Sequence, residues 1–375
     1  MRVPDVPTPR AVPAISPSLY EALLACPAKA VWYAHGSRDA LAPHPAALLG
    51  TCFHAVMEAL QKGRLLGDAA ERQNSARSLF DEVARQVHTD AHPLLRVKFP
   101  SPQNLPYYNL LRERAAAVAA QAPVGVDEQA EPRPQPSPLS EERFRSSDGV
   151  IVGRPDLIDV ARGEVVDFKT SQAINDPGAV SPREARQLRL YAYLAGEAGL
   201  TIERGTIVRG DGHTASIAVT ASEARHEATE ARQALADLNN RVGNGQAFAE
   251  LARPSPEGCR FCPCVPFCDA FWETADPTWQ DTTGIHVEGT VTAPVNAAVH
   301  ATALVTVQVR RTRGTVGGID VSIEQVPAAW ITADGDRPVE VGDVIRVVDA
   351  RLVSEDPVVL RADRVMTSLW RCRTT

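Results

Sequence analysis

The sequence predicts a mixed α/β (α+β) chain with a helical N-terminal part and a C-terminal all-β barrel. Apolar residues recur at helical spacing up to about residue 120, strand and helix patterns alternate over residues 140–242, and short alternating runs fill residues 284–370. Hydrophobic residues make up 44% of the 375 residues and charged residues 23%, which is typical of a globular protein with two or three domains.

The helical part follows a flexible lead-in over residues 1–15, which carries four prolines and no periodicity. Ser16 followed by Pro17 is typical of a helix start, and the apolar spacing extends this first helix to about Trp32. The next helices are predicted at Ala46 to Arg64, 68–90 and 107–120.

The central part changes to strands from about residue 124, after which a proline-rich connection covers residues 132–138. Asp148-Gly149 and Arg162-Gly163 are turn signals between the strands. The order of strands and helices favours an α/β or α+β core. The predicted elements are strands at Glu142–Arg145, Val150–Val160 and Glu164–Lys169, a helix at 181–198, a strand pair at 203–219 and a helix at 221–242.

The composition shifts again after Pro277, where five short strands with glycine-rich turns predict a small closed barrel. An OB-like fold is the first choice for this barrel. The predicted domains are therefore residues 16–276 and 284–370. The predicted barrel strands are Ile285–Val291, Ala303–Arg311, Gly318–Val326, Val344–Leu352 and Val358–Val365.

Charge and hydropathy exclude some classes of protein. The net charge of −7 argues against a general nucleic-acid coat, although a local basic groove stays possible. No run approaches eighteen apolar residues and the N-terminus lacks an apolar signal core, so we expect a cytoplasmic protein with no membrane contact. No Gly-x(4)-Gly-Lys-Ser/Thr motif is present, which argues against an ATP-driven motor.

Two acids and a lysine are the strongest chemical signal in the sequence. A turn at Arg162-Gly163 would bring Asp156 near Asp167, and two such carboxylates repel unless a cation lies between them. Oxygen ligands of this kind suit Mg²⁺ or Mn²⁺, and a nearby ammonium suits a scissile phosphate. Lys169 is one of four lysines beside 35 arginines, which indicates a need for a compact, adjustable ammonium. A surface salt bridge on a hairpin is the alternative.

The seven cysteines do not indicate disulfides, because their number is odd and no secretion signal is present. Their density near residue 260 is typical of metal or cluster ligation. A zinc knuckle is one interpretation, but its spacing is tight and it leaves Cys26 without a role. Its four ligands would be Cys259, Cys262, Cys264 and Cys268.

In their order and spacing, these features resemble the RecB-like PD-(D/E)xK nuclease family, and within it the iron–sulfur branch that includes the AddB nuclease domain and the exonucleases of CRISPR adaptation. The resemblance covers residues 16–272. The family pattern is a helical cysteine, a Gly-x-x-x-His helix, Asp, Asp/Glu-x-Lys, Gln-x-x-x-Tyr and Cys-x-x-Cys-x(5)-Cys. The matching residues are Cys26, Gly50, His54, Asp156, Asp167, Lys169, Gln187, Tyr191, Cys259, Cys262 and Cys268.

The resemblance implies a restriction-endonuclease-like core that cleaves DNA with Mg²⁺ or Mn²⁺. Its metal ligands would be His54, Asp156, Asp167 and the backbone carbonyl of Phe168. Asp156 and Asp167 would be catalytic together with Lys169, which would position or activate the attacking water and stabilise charge on the phosphate.

The same resemblance implies that Gln187 and Tyr191 contact the DNA strand. It also implies a structural 4Fe–4S cluster that joins the two ends of the first domain. The expected activity is exonuclease or flap-type cleavage of single-stranded DNA or free ends in repair, recombination or defence, with any unwinding left to a separate helicase. The cluster ligands would be Cys26, Cys259, Cys262 and Cys268.

Two other interpretations stay open from sequence. The chain could be a catalytically idle, cluster-stabilised DNA-binding subunit that recruits a helicase. It could also be a zinc protein in which the Asp-x-Lys sequence is accidental.

Overall fold

The computed structural model describes residues 3, 5–36, 44–121, 139–140, 142–170, 178–210, 213–295, 304–332, 338–363 and 365–372. The mixed α/β fold predicted from the sequence is confirmed, while the predicted connection at 132–138 lies outside the described residues. Within the described ranges, no helix is long and apolar enough to cross a membrane. The helices are α1 (Pro17–Ala25), α2 (Pro27–His35), α3 (Pro45–Gln61), α4 (Ala69–Thr89), α5 (Pro93–Lys98), α6 (Tyr108–Gln121), α7 (Pro182–Glu197), α8 (Ala221–Gly243), α9 (Phe248–Leu251), α10 (Pro256–Cys259), α11 (Asp269–Thr274), α12 (Gln280–Thr283) and α13 (Ala328–Thr332). The strands are β1 (Leu139–Ser140), β2 (Phe144–Arg145), β3 (Val152–Gly153), β4 (Leu157–Asp159), β5 (Glu164–Lys169), β6 (Arg204–Arg209), β7 (Thr214–Ala218), β8 (Ile285–Val291), β9 (Leu304–Gly314), β10 (Asp320–Pro327), β11 (Val344–Glu355), β12 (Val358–Arg361) and β13 (Ser368–Arg371).

The first predicted helix is interrupted at Cys26. This residue has extended backbone angles and precedes Pro27, the first residue of α2. A residue before proline is disfavoured in the helical region, so the helix ends there and a new one begins. The interruption directs the Cys26 Sγ away from a helix face, where it accepts a hydrogen bond from the backbone N–H of Arg253 at 3.4 Å.

A five-stranded mixed sheet forms the centre of the first part, in the order β1-β4-β5-β6-β7. Strand β5 is antiparallel to β4 and parallel to β6, and α7 is the crossover between β5 and β6. Helices α1, α2, α7 and α8 cover one face, and α3, α4 and α6 cover the other. The carboxyl end of β5 therefore lies between two helical layers.

The predicted strand Val150–Val160 is two strands, β3 and β4, which belong to different sheets. The break between them spans Arg154 to Asp156. Pro155 has no N–H to donate to a ladder, and it restricts the residue before it, so continuous pairing fails here. Asp156 thus sits at the break rather than within a regular strand.

Five strands of the C-terminal part close a barrel, as the sequence predicts. Around the barrel the order is β8-β9-β10-β12-β11, and β11 pairs again with β8. Only the β10–β12 pair is parallel among these five described pairings. The predicted last strand ends earlier, at Arg361, and β13 adds a sixth strand beside β11.

One buried arginine attaches the barrel to the cysteine-rich segment. Arg346 of β11 donates to Glu288 within the barrel at 2.9 Å, and to the carbonyl of Pro266 at 2.9 Å. It also donates to Asp269 at 2.7 Å and lies over the Trp272 ring at 5.2 Å. Trp272 is buried in the same apolar cluster as the barrel strands, so the barrel core extends into α11.

Candidate active site and cysteine cluster

The two acids of the predicted site meet where β4 pairs with β5. Because Leu157 pairs with Val166, the residues just outside this pair, Asp156 and Asp167, are neighbours across the ladder. An Asp156 Oδ2 accepts a hydrogen bond from the N–H of Phe168 at 2.6 Å. Asp167 is 3% exposed and points to the α7 side of the sheet, as Val165 does two residues earlier.

Gln187 of α7 links the acid and the lysine of β5. Its Nε2 donates to Asp167 Oδ1 at 2.7 Å and to the Tyr191 hydroxyl at 3.2 Å, while its Oε1 accepts from Lys169 Nζ at 2.9 Å. Lys169 Nζ also lies 2.7 Å from Asp167 Oδ2 as an ion pair. One amide therefore fixes the lysine relative to the carboxylate.

His54 reaches the site from the opposite helical layer. Its Nδ1 lies 3.3 Å from Asp156 Oδ1, and its ring packs edge-on against Phe168 with the centroids 6.5 Å apart. Glu58, one turn further along α3, pairs with Lys62 at 2.5 Å. The site thus joins side chains from both layers around the end of β5.

Burial controls the electrostatics of the acid pair. It raises the pKa of Asp167, and the neighbouring Asp156 carboxylate raises it further, while Lys169 and His54 act in the opposite direction. An ionised Asp167 is therefore costly unless positive charge is close. A bound cation would lower the pKa of Asp167, because its positive charge stabilises the ionised carboxylate.

The donor side chains at the end of β5 decide whether this site can hold a metal ion. Within the described part of the chain, no three His, Cys, Asp or Glu side chains converge closely enough to hold a metal ion as they stand. Asp156 instead contacts His54, while Asp167 pairs with Lys169 and accepts a hydrogen bond from Gln187. Two carboxylates and an imidazole at one strand end nevertheless form a donor set that suits a hard divalent cation, provided these internal contacts are exchanged.

Gly153 explains how closely α7 approaches the site. A Cβ at this position would lie 2.7 Å from Leu194 Cδ1 and 3.0 Å from Tyr191 Cε1. We expect Gly153→Ala to displace α7, lower stability by about 1–3 kcal/mol and reduce activity. Thermal unfolding and cleavage assays would measure both effects.

The matched control for this change is Gly196→Ala on α7 itself, since a Cβ at residue 196 meets nothing within 4 Å. It should leave stability and activity unchanged or raise stability slightly. Equal behaviour of the two alanine variants would contradict the packing argument.

Arg209 is a buried cation at the start of α7 that the sequence analysis does not single out. It pairs with Lys169 in the parallel register of β5 and β6 and donates to Glu184 at 2.8 Å in the first turn of α7. Ser181 caps the same turn, so α7 starts from a fixed point. The capping box Ser-x-x-Glu was visible in the sequence, but its buried cationic partner was not.

The predicted cluster cysteines lie around one small cavity of about 20 Å³. Cys26 comes from the α1–α2 junction, and the other thiols come from the segment after α9. Burial raises the pKa of Cys259 to about 11 and that of Cys268 to about 12, and the nearby thiols of Cys262 and Cys26 raise both further. Although these thiols share one cavity, no three of the described ones lie closely enough together to hold a metal ion as they stand. The four are Cys26, Cys259, Cys262 and Cys268.

Cys264 occupies the wall of the same cavity and is 3% exposed. Its thiol hydrogen-bonds to Cys262 and lowers the pKa of that residue, an effect that nearby Lys29 reinforces. Cys264 is therefore in contact with one of the four cysteines that the resemblance implies as ligands. A local zinc knuckle of four adjacent cysteines does not need Cys26, which nevertheless lines this cavity.

Comparison with known proteins places the chain in a family. The family model described as the PD-(D/E)XK nuclease superfamily matches residues 14–269, about two thirds of the chain. The chain therefore belongs to the PD-(D/E)XK nuclease superfamily, and this membership indicates nuclease activity. A search of curated proteins found no match.

One solved structure, titled "Crystal structure of SSO0001", is similar at 22% identity with a TM-score of 0.24. The likeness covers 36% of this chain, and this chain spans 60% of that one. A similarity of this size carries no argument about function.

Proposed function

We propose that this chain is a metal-dependent DNA nuclease of the RecB-like, iron–sulfur branch of its superfamily. The observation that carries the proposal is the bridge from Gln187 to both Asp167 and Lys169. An accidental Asp-x-Lys has no reason to be joined by a buried amide from a separate helix. The substrate preference proposed is single-stranded DNA or free ends, cut in exonuclease or flap-type mode in repair, recombination or defence.

The proposed metal is Mg²⁺ or Mn²⁺, held by His54, Asp156, Asp167 and the carbonyl of Phe168. When bound, such a metal supplies Lewis-acid activation of the phosphate and a hydroxide-like nucleophile. The buried position of Asp167 favours cation binding, because the carboxylate has little water to solvate it.

The remaining roles belong to side chains around these ligands. The Lys169 ammonium donates hydrogen bonds to the attacking water or to a phosphate oxygen, where it stabilises developing negative charge. Gln187 keeps the ammonium in place while it does so. Tyr191, whose hydroxyl accepts from Gln187, contacts the strand beside the scissile phosphate.

The cysteine cavity is proposed to hold a structural 4Fe–4S cluster on Cys26, Cys259, Cys262 and Cys268, in a nuclease domain of residues 16–276. For residues 284–370 we propose an OB-type barrel. Its order of first, second, third, fifth and fourth strand, with a parallel pair between the third and fifth, supports this type. Such a barrel would hold a single strand delivered by a separate helicase.

The test is cleavage of end-labelled single- and double-stranded DNA by anaerobically purified protein with Mg²⁺, with Mn²⁺ or with EDTA. We expect cutting with either metal and none with EDTA, and the length ladder of the products would give the mode and polarity. Failure to cut under every metal, with the iron content intact, would contradict the nuclease proposal and favour an idle DNA-binding subunit.

A further inference from the structure

A cavity of about 430 Å³ lies between the barrel, α5 and the cysteine-rich segment. We call it the junction cavity. Its walls include Phe261 and Cys262 from the cysteine segment, Lys98 from α5, and Asp349 and Trp370 from the barrel. None of these five residues belongs to the site at the end of β5. Helix α3 connects the cavity with that site, because its N-cap residue His44 also lines the cavity.

The backbone of this cavity is strained at two points. Among the described residues, four that are not glycine have positive φ, and two of these four, Phe261 and Asp349, line the junction cavity at φ +57° each. A bulky aromatic residue rarely adopts this conformation, and such strain concentrates at ligand-binding sites. Phe261 is also 68% exposed, so packing within the protein does not explain its position.

The polar groups of the cavity are few and placed among apolar walls. The Asp349 side chain is 28% exposed, lies 3.9 Å from the ring of the buried His286, and interacts electrostatically with the Lys98 ammonium in the same cavity. Lys98 is buried, donates to the carbonyl of Thr367 at 2.6 Å and lies above the Trp330 ring. Aromatic faces with one carboxylate acceptor suit a flat heterocycle that presents N–H donors.

We propose that the junction cavity binds an unpaired nucleobase that carries an exocyclic amino group, stacked on Phe261 and donating to the Asp349 carboxylate. Stacking on aromatic side chains is how proteins hold splayed bases, and acidic side chains accept from amino groups such as cytosine N4. Thymine has no such amino group and loses this contact. The inference rests on the proposed nucleic-acid function and adds a base preference to it.

The distance to the proposed active site is consistent with one bound strand. His44 and His54 are ten residues apart on α3, which corresponds to about 15 Å along the helix axis. A strand that reaches Asp167 could therefore place a base a few nucleotides away in the cavity. Because Cys262 lines both the junction cavity and the cavity of the cysteines, a base bound here would lie next to the cysteines.

The experiment measures binding of fluorescent homopolymeric oligonucleotides of deoxycytidine and thymidine to the full chain in EDTA, where cleavage does not interfere. The parent should bind oligo(dC) more tightly. Phe261→Ala should weaken binding of both by about fivefold to tenfold, the lower part of the range for lost base stacking. Asp349→Asn should remove the preference for oligo(dC), because an amide accepts from cytosine N4 and donates to thymine O4 equally well, so oligo(dT) binding should not weaken.

Both variants are expected to fold, because Phe261 is exposed and asparagine readily adopts positive φ. The controls are Tyr107→Ala, an aromatic residue of equal exposure and positive φ outside the cavity, and Asp320→Asn, an exposed barrel acid. Neither should change binding or preference. Since no metal is present, this result does not depend on whether the chain cuts DNA.

A free nucleotide carries the same base as a DNA strand. A competition experiment distinguishes these two ligands. Deoxycytidine monophosphate that displaces labelled oligo(dC) as well as the unlabelled oligonucleotide does would assign the cavity to released nucleotides. Displacement by the oligonucleotide alone would assign it to the strand. Unchanged affinity and preference in both Phe261→Ala and Asp349→Asn, or no binding by the parent, would overturn the inference.

Discussion

Lys169→Ala is expected to lower the rate of DNA cleavage by about 10²–10⁴-fold while DNA binding in EDTA stays close to that of the parent. Its ammonium is the cation nearest to Asp167, at 2.7 Å, and Gln187 holds it there. Loss of the ammonium removes stabilisation of charge that develops only during the reaction. Single-turnover cleavage of a labelled strand with Mg²⁺, beside a binding titration, separates the two effects.

The matched control is Lys62→Ala, which removes another of the four lysines from an exposed pair with Glu58. Its cleavage rate should stay within a few-fold of the parent, because exposed pairs contribute little. Circular dichroism would establish that Lys169→Ala remains folded. Unimpaired DNA cleavage by a folded Lys169→Ala protein would contradict the assignment of the active site.

Cys26→Ser is expected to strip the proposed cluster and to lower the free energy of unfolding by about 3–5 kcal/mol. The cluster would connect residues more than 230 positions apart, and a link of this span greatly restricts the unfolded chain. The anaerobically purified parent should be brown, with iron and sulfide bound. The variant should be pale and should melt at a lower temperature.

Two other cysteine variants sharpen this result. Cys372→Ser lies outside the cavity and should keep colour and stability. Cys264→Ser should keep the cluster with reduced stability, because in the proposed arrangement this thiol is not a ligand but hydrogen-bonds to the ligand Cys262. A colourless parent that binds zinc, with Cys26→Ser unaffected, would contradict the cluster proposal and restore the zinc knuckle.

Local signals made the barrel and the central β-hairpin predictable. Alternation of polar and apolar residues defined the barrel strands, and the turn at Arg162-Gly163 gave the register that makes Asp156 and Asp167 neighbours. The helix spacing of Gln187 and Tyr191 was visible as well. Each of these features depends on residues close together in the chain.

Other features depend on contacts between distant segments, which no local pattern contains. The four-way contact of Arg346 joins elements far apart in the sequence, and the buried pair of Arg209 with Glu184 depends on how β6 packs beside α7. The break at Cys26 has a local cause in Pro27. The apolar residues on both sides keep a helical spacing, however, and this spacing predicted one continuous helix. The close approach of α7 to Gly153 is a packing detail of the same long-range kind.

The position of Arg346 has a consequence for how the chain melts. A guanidinium that is buried between the barrel and the cysteine segment would lose its partners if either side unfolded alone, and an unpaired buried charge is strongly destabilising. Trp272, inside the barrel core, would lose its packing as well. Barrel and cysteine segment should therefore denature together as one calorimetric unit, and a chain shortened before residue 284 should expose an apolar face and aggregate.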